Sequence, residues 1–391
     1  MDCAAGVPLK KEVFAAMKPF LYDNFANASG LHFFARRAKA ALNSAREKVA
    51  EILNCKFEEI IFTSGGTESD NLAILGFCEA NLNSQKNKIL TTKMEHPAVA
   101  RAFENLMKIG NAEIQFLKNE KTGEISAKNF SEKAGEKTLF ASIIFANNEI
   151  GTISEIEKIA KIAREKKVIL HSDACQIANA QKLDLQKIDV DFLTLNGAKI
   201  GGPGGILFRR KNLKIAPRAL GGAQEFGIRA GTEKIADAVG FAAALEIAQK
   251  NLKTKNQKFR EIQKNIFEFV KNKIPLSRLN GAEIGKKRLP TNLHFSFLNC
   301  EGETLALILD EMGFAVSTGS ACAAQNLEIS PVLKNLKMPH EIAHGSIRIS
   351  FDENFTAEKV DEFCAALKTA VKKTREISSA DFTEKDFENW F

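Results

Sequence analysis

The feature that most restricts the fold of this chain is the alternation of short apolar runs with amphipathic stretches over roughly its first 230 residues. The runs at 59–63, 88–92, 112–117, 139–145, 168–172 and 192–195 are rich in β-branched or aromatic residues and bounded by turn residues, which predicts buried strands. Helical patterns lie between them. In residues 33–53, Ala38, Leu42, Ala45, Val49 and Leu53 recur on one helical face. A second helix is expected after Ser64-Gly65-Gly66-Thr67-Glu68-Ser69, running through Leu72, Leu75 and Cys78. Ser154-Glu155-Ile156-Glu157 matches a capping box and predicts a helix to about Lys166. Strands alternating with helices predict an α/β fold with a mainly parallel, doubly wound sheet, to which residues 206–208 add one more strand.

Strand signals stop near Thr232. The chain from there to about Val270 is helical and lysine-rich, which suggests a spine between domains. Beyond Pro275, strands expected at 292–297, 315–317 and 346–351 mix with helices at 304–311 and 357–374, an α+β pattern that implies a second, smaller domain. A chain of 391 residues is long enough for two or three domains. The tail from Phe382 to Phe391 alternates aromatic and acidic residues, and reads as a frayed end or a docking segment.

Several function classes drop out. No apolar run approaches the length of a membrane span. The net charge of +7 comes from lysines dispersed among glutamates, which does not argue for nucleic acid and suits an anionic ligand equally well. The seven cysteines contain no C-x-x-C pair, so neither a zinc ribbon nor a thioredoxin-like motif is expected, and no metal site is read. An odd cysteine count without a secretory pattern places the chain in a reducing cytoplasm.

The runs at 168–172 and 192–195 lead to Asp173 and to the loop holding Lys199. Ligands of open α/β sheets bind at the carboxyl ends of strands. A Schiff-base lysine and an aspartate paired with a pyridinium nitrogen are what pyridoxal phosphate (PLP) requires of a protein. Each has an ordinary alternative, since a strand-end aspartate commonly caps a turn and a loop lysine is commonly solvated. Ser64-Gly65-Gly66-Thr67, between a strand and a helix, allows backbone N–H groups to approach a phosphate, though many such turns contain glycine. His96, in Met94-Glu95-His96-Pro97, follows a strand at the same sheet edge and reads equally as a structural histidine. Asn147-Asn148-Glu149-Ile150-Gly151 ends another strand with two amides or, in the simpler reading, a turn.

Taken in order, Thr-Ser-Gly-Gly-Thr-Glu-Ser, Glu-His-Pro, Asn-Asn-Glu-Ile-Gly-Thr, His-Ser-Asp-Ala-x-Gln and the Lys199 loop resemble the PLP-dependent cysteine desulfurases of the NifS/IscS type. Arg229-Ala230-Gly231-Thr232-Glu233, Ser317-Thr318-Gly319-Ser320-Ala321-Cys322 and His344-Gly345-Ser346-Ile347-Arg348 extend the resemblance, which runs to about Thr374. It implies the type I PLP fold: a large domain over residues 10–250 with a mainly parallel seven-stranded-type sheet, and a smaller α+β domain made of 1–9 and 251–391. It further implies that Lys199 holds PLP, Asp173 pairs with the ring nitrogen, Gln176 faces the ring hydroxyl and His96 stacks on the ring and transfers protons. Gly66, Thr67 and Asn196 would hold the phosphate, with Thr232 contributed by the partner of a homodimer. Asn148 would assist near the ring, and Arg348 would bind the carboxylate of L-cysteine. Cys322, in a loop of small residues, would take the sulfur as a persulfide for a sulfur-acceptor protein, serving iron–sulfur cluster or thio-cofactor assembly.

The chain also departs from the family pattern. Asn196-Gly197-Ala198-Lys199 stands where Ser-x-His-Lys is common, Gly201 and Gly204 where His and Lys are usual, Phe226 where Arg is usual, and Cys3 where Asn is usual. These departures bear on cofactor affinity and substrate identity more than on the fold. A related aminotransferase, a selenocysteine or cysteine-sulfinate lyase, and a non-catalytic sulfur-transfer scaffold are the alternative readings.

Overall fold

The computed structural model describes residues 1–82, 85–110, 112–318 and 329–389. Seven strands form the main sheet: β1 (Ile60–Thr63), β2 (Lys88–Thr92), β3 (Glu113–Leu117), β4 (Thr138–Ser142), β5 (Ile169–Asp173), β6 (Phe192–Asn196) and β7 (Gly205–Arg209). Their order is β1-β7-β6-β5-β4-β2-β3. The run from β3 to β6 is parallel throughout, whereas β7 is antiparallel to both its neighbours. Only the short 197–204 loop joins β6 to β7, and a parallel crossover needs about a dozen residues or more. The reversal of β7 is therefore forced by chain length.

Successive residues of a strand face opposite sides of the sheet. Ile60, Leu90, Ala141, Leu193 and Ile206 enter one apolar core, while their neighbours Ile61, Ile89, Phe140, Phe192 and Leu207 enter another. Both faces are thus covered, as a mainly parallel sheet requires. Helices Lys11–Leu21, Phe33–Leu53 and Ile235–Gln249 supply the first core, and the helical run 66–81 with Pro97–Ile109 supplies the second.

A second sheet has the order β10-β9-β8, with β8 (Ser277–Leu279), β9 (Asn292–Phe297) and β10 (Ser346–Ser350) antiparallel. Phe295, Phe297, Ile347 and Ile349 pack there with Ile266, Leu305, Phe363 and Leu367 from helices Leu252–Lys273, Gly302–Glu311 and Glu358–Ile377. The first residues of the chain lie along this sheet, with Asp2 bridged to Ser350.

The helix at 33–53 and the strands at 88–92 and 292–297 have the predicted bounds. Other elements differ for local reasons. Ser154 does not cap the following helix: its hydroxyl accepts from Ile125 N at 3.4 Å, while Glu155 takes Ala127 N at 3.0 Å and Glu157 takes Gln181 Nε2 at 3.0 Å. Tertiary partners have claimed the whole capping box. The expected spine is two helices, parted at Asn251 in left-handed backbone (φ 56°). The expected strand at 315–317 is a single bridge from Ser317 to Arg348, and the expected strand at 139–145 ends at Ser142 as β4. The tail is docked at its base, where Phe382 and Asn299 exchange hydrogen bonds of 3.0 and 2.9 Å, and it continues as a helix, Glu384–Asn389.

Candidate active site

Because β1, β2, β4, β5 and β6 point the same way, the loops that follow them meet at one edge of the sheet. Gly66, Thr67, His96, Asn148, Asp173, Gln176, Asn196 and Lys199 all line a cavity there of about 360 Å³, closed on another side by Arg348 from β10. Thr232 is not among them; it is exposed on the loop before helix Ile235–Gln249. Cys322 lies outside the described residues.

Asp173 is the last residue of β5, buried, with Oδ1 accepting from Cys175 N at 2.9 Å. Lys199 ends a one-turn helix, Gly197–Lys199, whose tightness requires glycine: a Cβ at Gly197 would meet Pro203 O at 2.1 Å. Asn196 Oδ1 caps this turn by accepting from Ala198 N at 3.1 Å. Burial pushes the Lys199 amine below its ordinary pKa, and the Arg348 charge adds to this, against the opposing pull of Cys175 and Asp173. An amine of lowered basicity is the nucleophilic form that Schiff-base chemistry needs. Its Nζ donates to Ala5 O at 2.7 Å, so the N-terminal segment forms part of the wall.

His96 opens helix Pro97–Ile109, its Nδ1 accepting from Ala98 N at 3.2 Å. That bond leaves the ring proton on Nε2 when the imidazole is neutral. Burial holds its pKa below the ordinary value, with Asp173 opposing and Lys199 assisting. The two amides after β4 divide their roles. Asn147 is buried and builds the turn, donating to Met94 O at 2.9 Å and accepting from Glu149 N and Ile150 N. Asn148 is left to face the cavity, and its carbonyl accepts from Arg348 Nη1 at 2.9 Å. Buried Arg288 anchors this loop to the second sheet, donating to Ile150 O at 2.8 Å, Ala282 O at 2.6 Å and Asn280 O.

At the far end, the helical run 66–81 begins with no side-chain cap, so its N-terminus is open to an anion. Gly66 is required there, since a Cβ would lie 2.8 Å from Cys175 Sγ. Phe226, at the position where the family pattern has Arg, adopts left-handed backbone (φ 61°). Its ring sits 5.0 Å from the guanidinium of Arg46, which is buried and paired with Glu225 at 2.6 and 2.7 Å. A structural cluster occupies that place.

Four further groups were not singled out from the sequence. Asp70, Glu149 and Cys175 line the cavity, and Asp2 pairs with Arg348 Nη2 at 2.7 Å. Asp70 had a readable signal, because it falls four residues after Gly66 and so shares its helix face. Donor atoms of Asp70, His96 and Asp173 lie within 4.8 Å of one another. A cation would need deprotonated ligands, but burial and then the charge of Asp173 push Asp70 well above the usual carboxylate range. The group is therefore better suited to a proton than to a metal.

A mainly parallel α/β sheet with an aspartate and a lysine of lowered basicity across one crevice defines a cofactor-dependent enzyme of the aminotransferase type. Residues 1–363 match the aminotransferase class-V family, and the chain belongs to it. Its relatives narrow the class. It is 39% identical over 380 residues to cysteine desulfurase IscS of Clostridium botulinum, covering 97% of this chain and 95% of the relative. Among solved structures it resembles a NifS-like protein with a TM-score of 0.88 at 30% identity, covering 95% of this chain and 98% of the other. It also resembles SspA in complex with cysteine, with a TM-score of 0.79 at 32% identity, over 90% of this chain and 97% of that one.

Proposed function

We propose that this chain is a PLP-dependent cysteine desulfurase that converts L-cysteine to L-alanine and passes the sulfur through Cys322 to an acceptor protein. The observation that carries the reading is the placement of Asp173, Lys199, His96 and Arg348 around one cavity, with the lysine amine shifted toward its neutral form. The residues present fit PLP. The uncapped helix start at Gly66 and Thr67, beside the Asn196 amide, suits the phosphate; Asp173 suits the ring nitrogen; and the buried Oδ1 of Asp70 has no hydrogen-bond partner among the described residues.

When bound, PLP supplies the electron sink that lets bonds at the substrate Cα break. Lys199 would anchor the cofactor and then move the α proton, for which its depressed basicity suits it. Asp173 would keep the ring nitrogen protonated, and Gln176, whose Nε2 donates to Ala4 O at 3.0 Å, would face the ring hydroxyl. His96 would stack on the ring and pass protons through Nε2. Arg348, oriented by Asp2 and the Asn148 carbonyl, would take the substrate carboxylate in a bidentate pair. The substrate C–S bond breaks as the Cys322 S–S bond forms, and the remaining three-carbon skeleton takes up protons and leaves as alanine.

Elimination supports Cys322. Burial raises the other six thiols: Cys3 and Cys300 to about 11, Cys55, Cys78 and Cys364 to about 12, and Cys175 well above the ordinary value, where Asp173 and Asp70 add to the effect. A thiolate is the species that attacks sulfur, and none of these six is disposed to form one. A homodimer in the cytoplasm belongs to the same proposal. Exposed Thr232 would then reach the phosphate of a partner subunit, and no helix among the described residues is long and apolar enough to cross a membrane. So does a division of the chain near residue 250, with each sheet at the centre of one domain.

The test is a panel of amino acids scored for sulfide and alanine, with mass spectrometry of the wild type and Cys322→Ser after cysteine treatment. Equal alanine and sulfide from L-cysteine alone when an added thiol reduces the persulfide, and, without that thiol, a persulfide that Cys322→Ser abolishes, is the expected result. Amino-group transfer to a keto acid, or a persulfide on Cys175, would overturn the reading.

A further inference from the structure

The floor of the cavity, beneath the place proposed for the ring nitrogen, holds a polar cluster that the proposed chemistry does not use. Asp70 is its centre. The side chain is 1% exposed, and a carboxyl oxygen lies within 4.8 Å of an Asp173 oxygen. Its Oδ1 is 3.5 Å from His171 Nε2 and has no hydrogen-bond partner among the described residues. His171 is wholly buried behind it, with Nδ1 2.8 Å from Ser142 Oγ and Nε2 3.1 Å from Thr194 Oγ1. Leaving a buried acceptor unmatched is costly, so a carboxyl held this way beneath the cavity calls for a function.

We propose that Asp70 is a positioning residue that acts through Asp173: the two carboxylates together hold one proton at the cavity floor, and this pairing sets how firmly Asp173 retains the proton of the cofactor's ring nitrogen. The inference rests on the PLP reading above. Two carboxylates this close in a dry site cannot both ionise freely, so one keeps its proton. The surroundings assign that proton to Asp70. Burial and the Asp173 charge raise it, Glu95 adds to them, and a hydrogen bond from Thr194 offsets part. Burial lowers His171 to about 4 and also lowers His96, so neither offers a positive charge to Asp70, and burial raises Glu95 and Cys175; Lys199, itself lowered by burial, is the remaining amine facing Asp173. A pyridinium ring nitrogen would bring the missing positive charge. Asp70 could then ionise, and a second negative charge would strengthen the hold on the ring proton.

The experiment loads the enzyme with PLP labelled with ¹⁵N at the ring nitrogen and follows its chemical shift from neutral to alkaline pH, together with PLP release on dilution. The variant is Asp70→Asn, which keeps shape and one acceptor but removes the acid. We expect its ring nitrogen to lose the proton about one pH unit or more below the wild type, and PLP to leave about tenfold faster at alkaline pH. An unchanged shift together with unchanged release overturns the inference while leaving the PLP reading intact. A wild type that takes up no PLP overturns the proposed function, and this inference with it. Should Asp70→Asn fail to fold, Thr194→Val decides by the same two readouts. Loss of its hydrogen bond makes Asp70 harder to ionise, so a smaller change in the same direction is expected, and no change refutes.

Discussion

Substituting Gly66 by alanine tests the most crowded contact of the proposed phosphate seat. A Cβ there would lie 2.8 Å from Cys175 Sγ, whereas Asn196 Cβ and Nδ2, at 3.5 Å, are at ordinary contact. The shortfall against Sγ is about 0.7 Å or more. The Cys175 backbone is held by its N–H to Asp173 Oδ1 at 2.9 Å, so any relief must come from turning the side chain itself. Overpacking of this kind costs about 1–3 kcal/mol. The opposing term is alanine's helix preference over glycine, up to about 1 kcal/mol and smaller in a first turn. Gly66 is not in left-handed backbone, so no conformational strain is added. The collision wins: Gly66→Ala should lose about 1–2 kcal/mol of stability and weaken PLP binding by about a decade. Adding Cys175→Ala removes Sγ and should restore both, with a coupling energy of at least about 1 kcal/mol in the double-mutant cycle. The assays are urea unfolding of the four proteins without PLP and PLP titration followed by absorbance. A single mutant within about 0.5 kcal/mol of wild type, or a double mutant no better than Gly66→Ala, would show that the sulfur contact is not what demands glycine.

Three further outcomes are expected. Ala198 is exposed on the turn before Lys199, so Ala198→His has room and should tighten PLP binding by about one decade through a charge-assisted hydrogen bond, measured as PLP release on dialysis; equal release rates would show that the cup is complete without it. Glu225→Gln leaves Arg46 buried without its bidentate partner and should cost about 3–5 kcal/mol in urea unfolding, with a loss under about 1 kcal/mol ruling out a stabilising pair. Burial holds His294 at about 3, below its unfolded value, so the unfolded state binds the extra proton. Its contribution is therefore present above about pH 6.5 and falls away with acid, at up to about 1.4 kcal/mol per pH unit. His294→Gln should flatten the acid limb of stability against pH relative to wild type, a comparison in which the opposite slopes of buried Glu95 and Asp70 cancel, and parallel limbs would refute the assignment.

Much of the site was legible because its residues announce themselves locally. Glycines after an apolar run, an amide pair and a strand-end aspartate all sit where one short run ends, and parallel strands must bring such ends to one edge. Asp70 was legible only as a neighbour of Gly66 on one helix face. Otherwise it looks like any polar residue on a helix, and only the stacking of that helix against β6 and β7 buries it beside Asp173. The same holds for Asp2, whose partner Arg348 is 346 residues away, and for Ser154, whose capping pattern was overridden by partners from distant segments.

By itself the sequence determined the alternation of elements, the parallel sense of the sheet, and the order in which Gly66, His96, Asn148, Asp173 and Lys199 follow its strands. These depend on periodicity and connection length, which act over a few residues. Only the tertiary structure decided the charge states of the site. Lys199 loses basicity through burial and the charge of Arg348 on β10, and Asp70 gains it through burial and the charge of Asp173 on β5. Desolvation and Coulomb terms depend on distance in space, and that distance is set when the two sheets and the N-terminal segment close around the cavity.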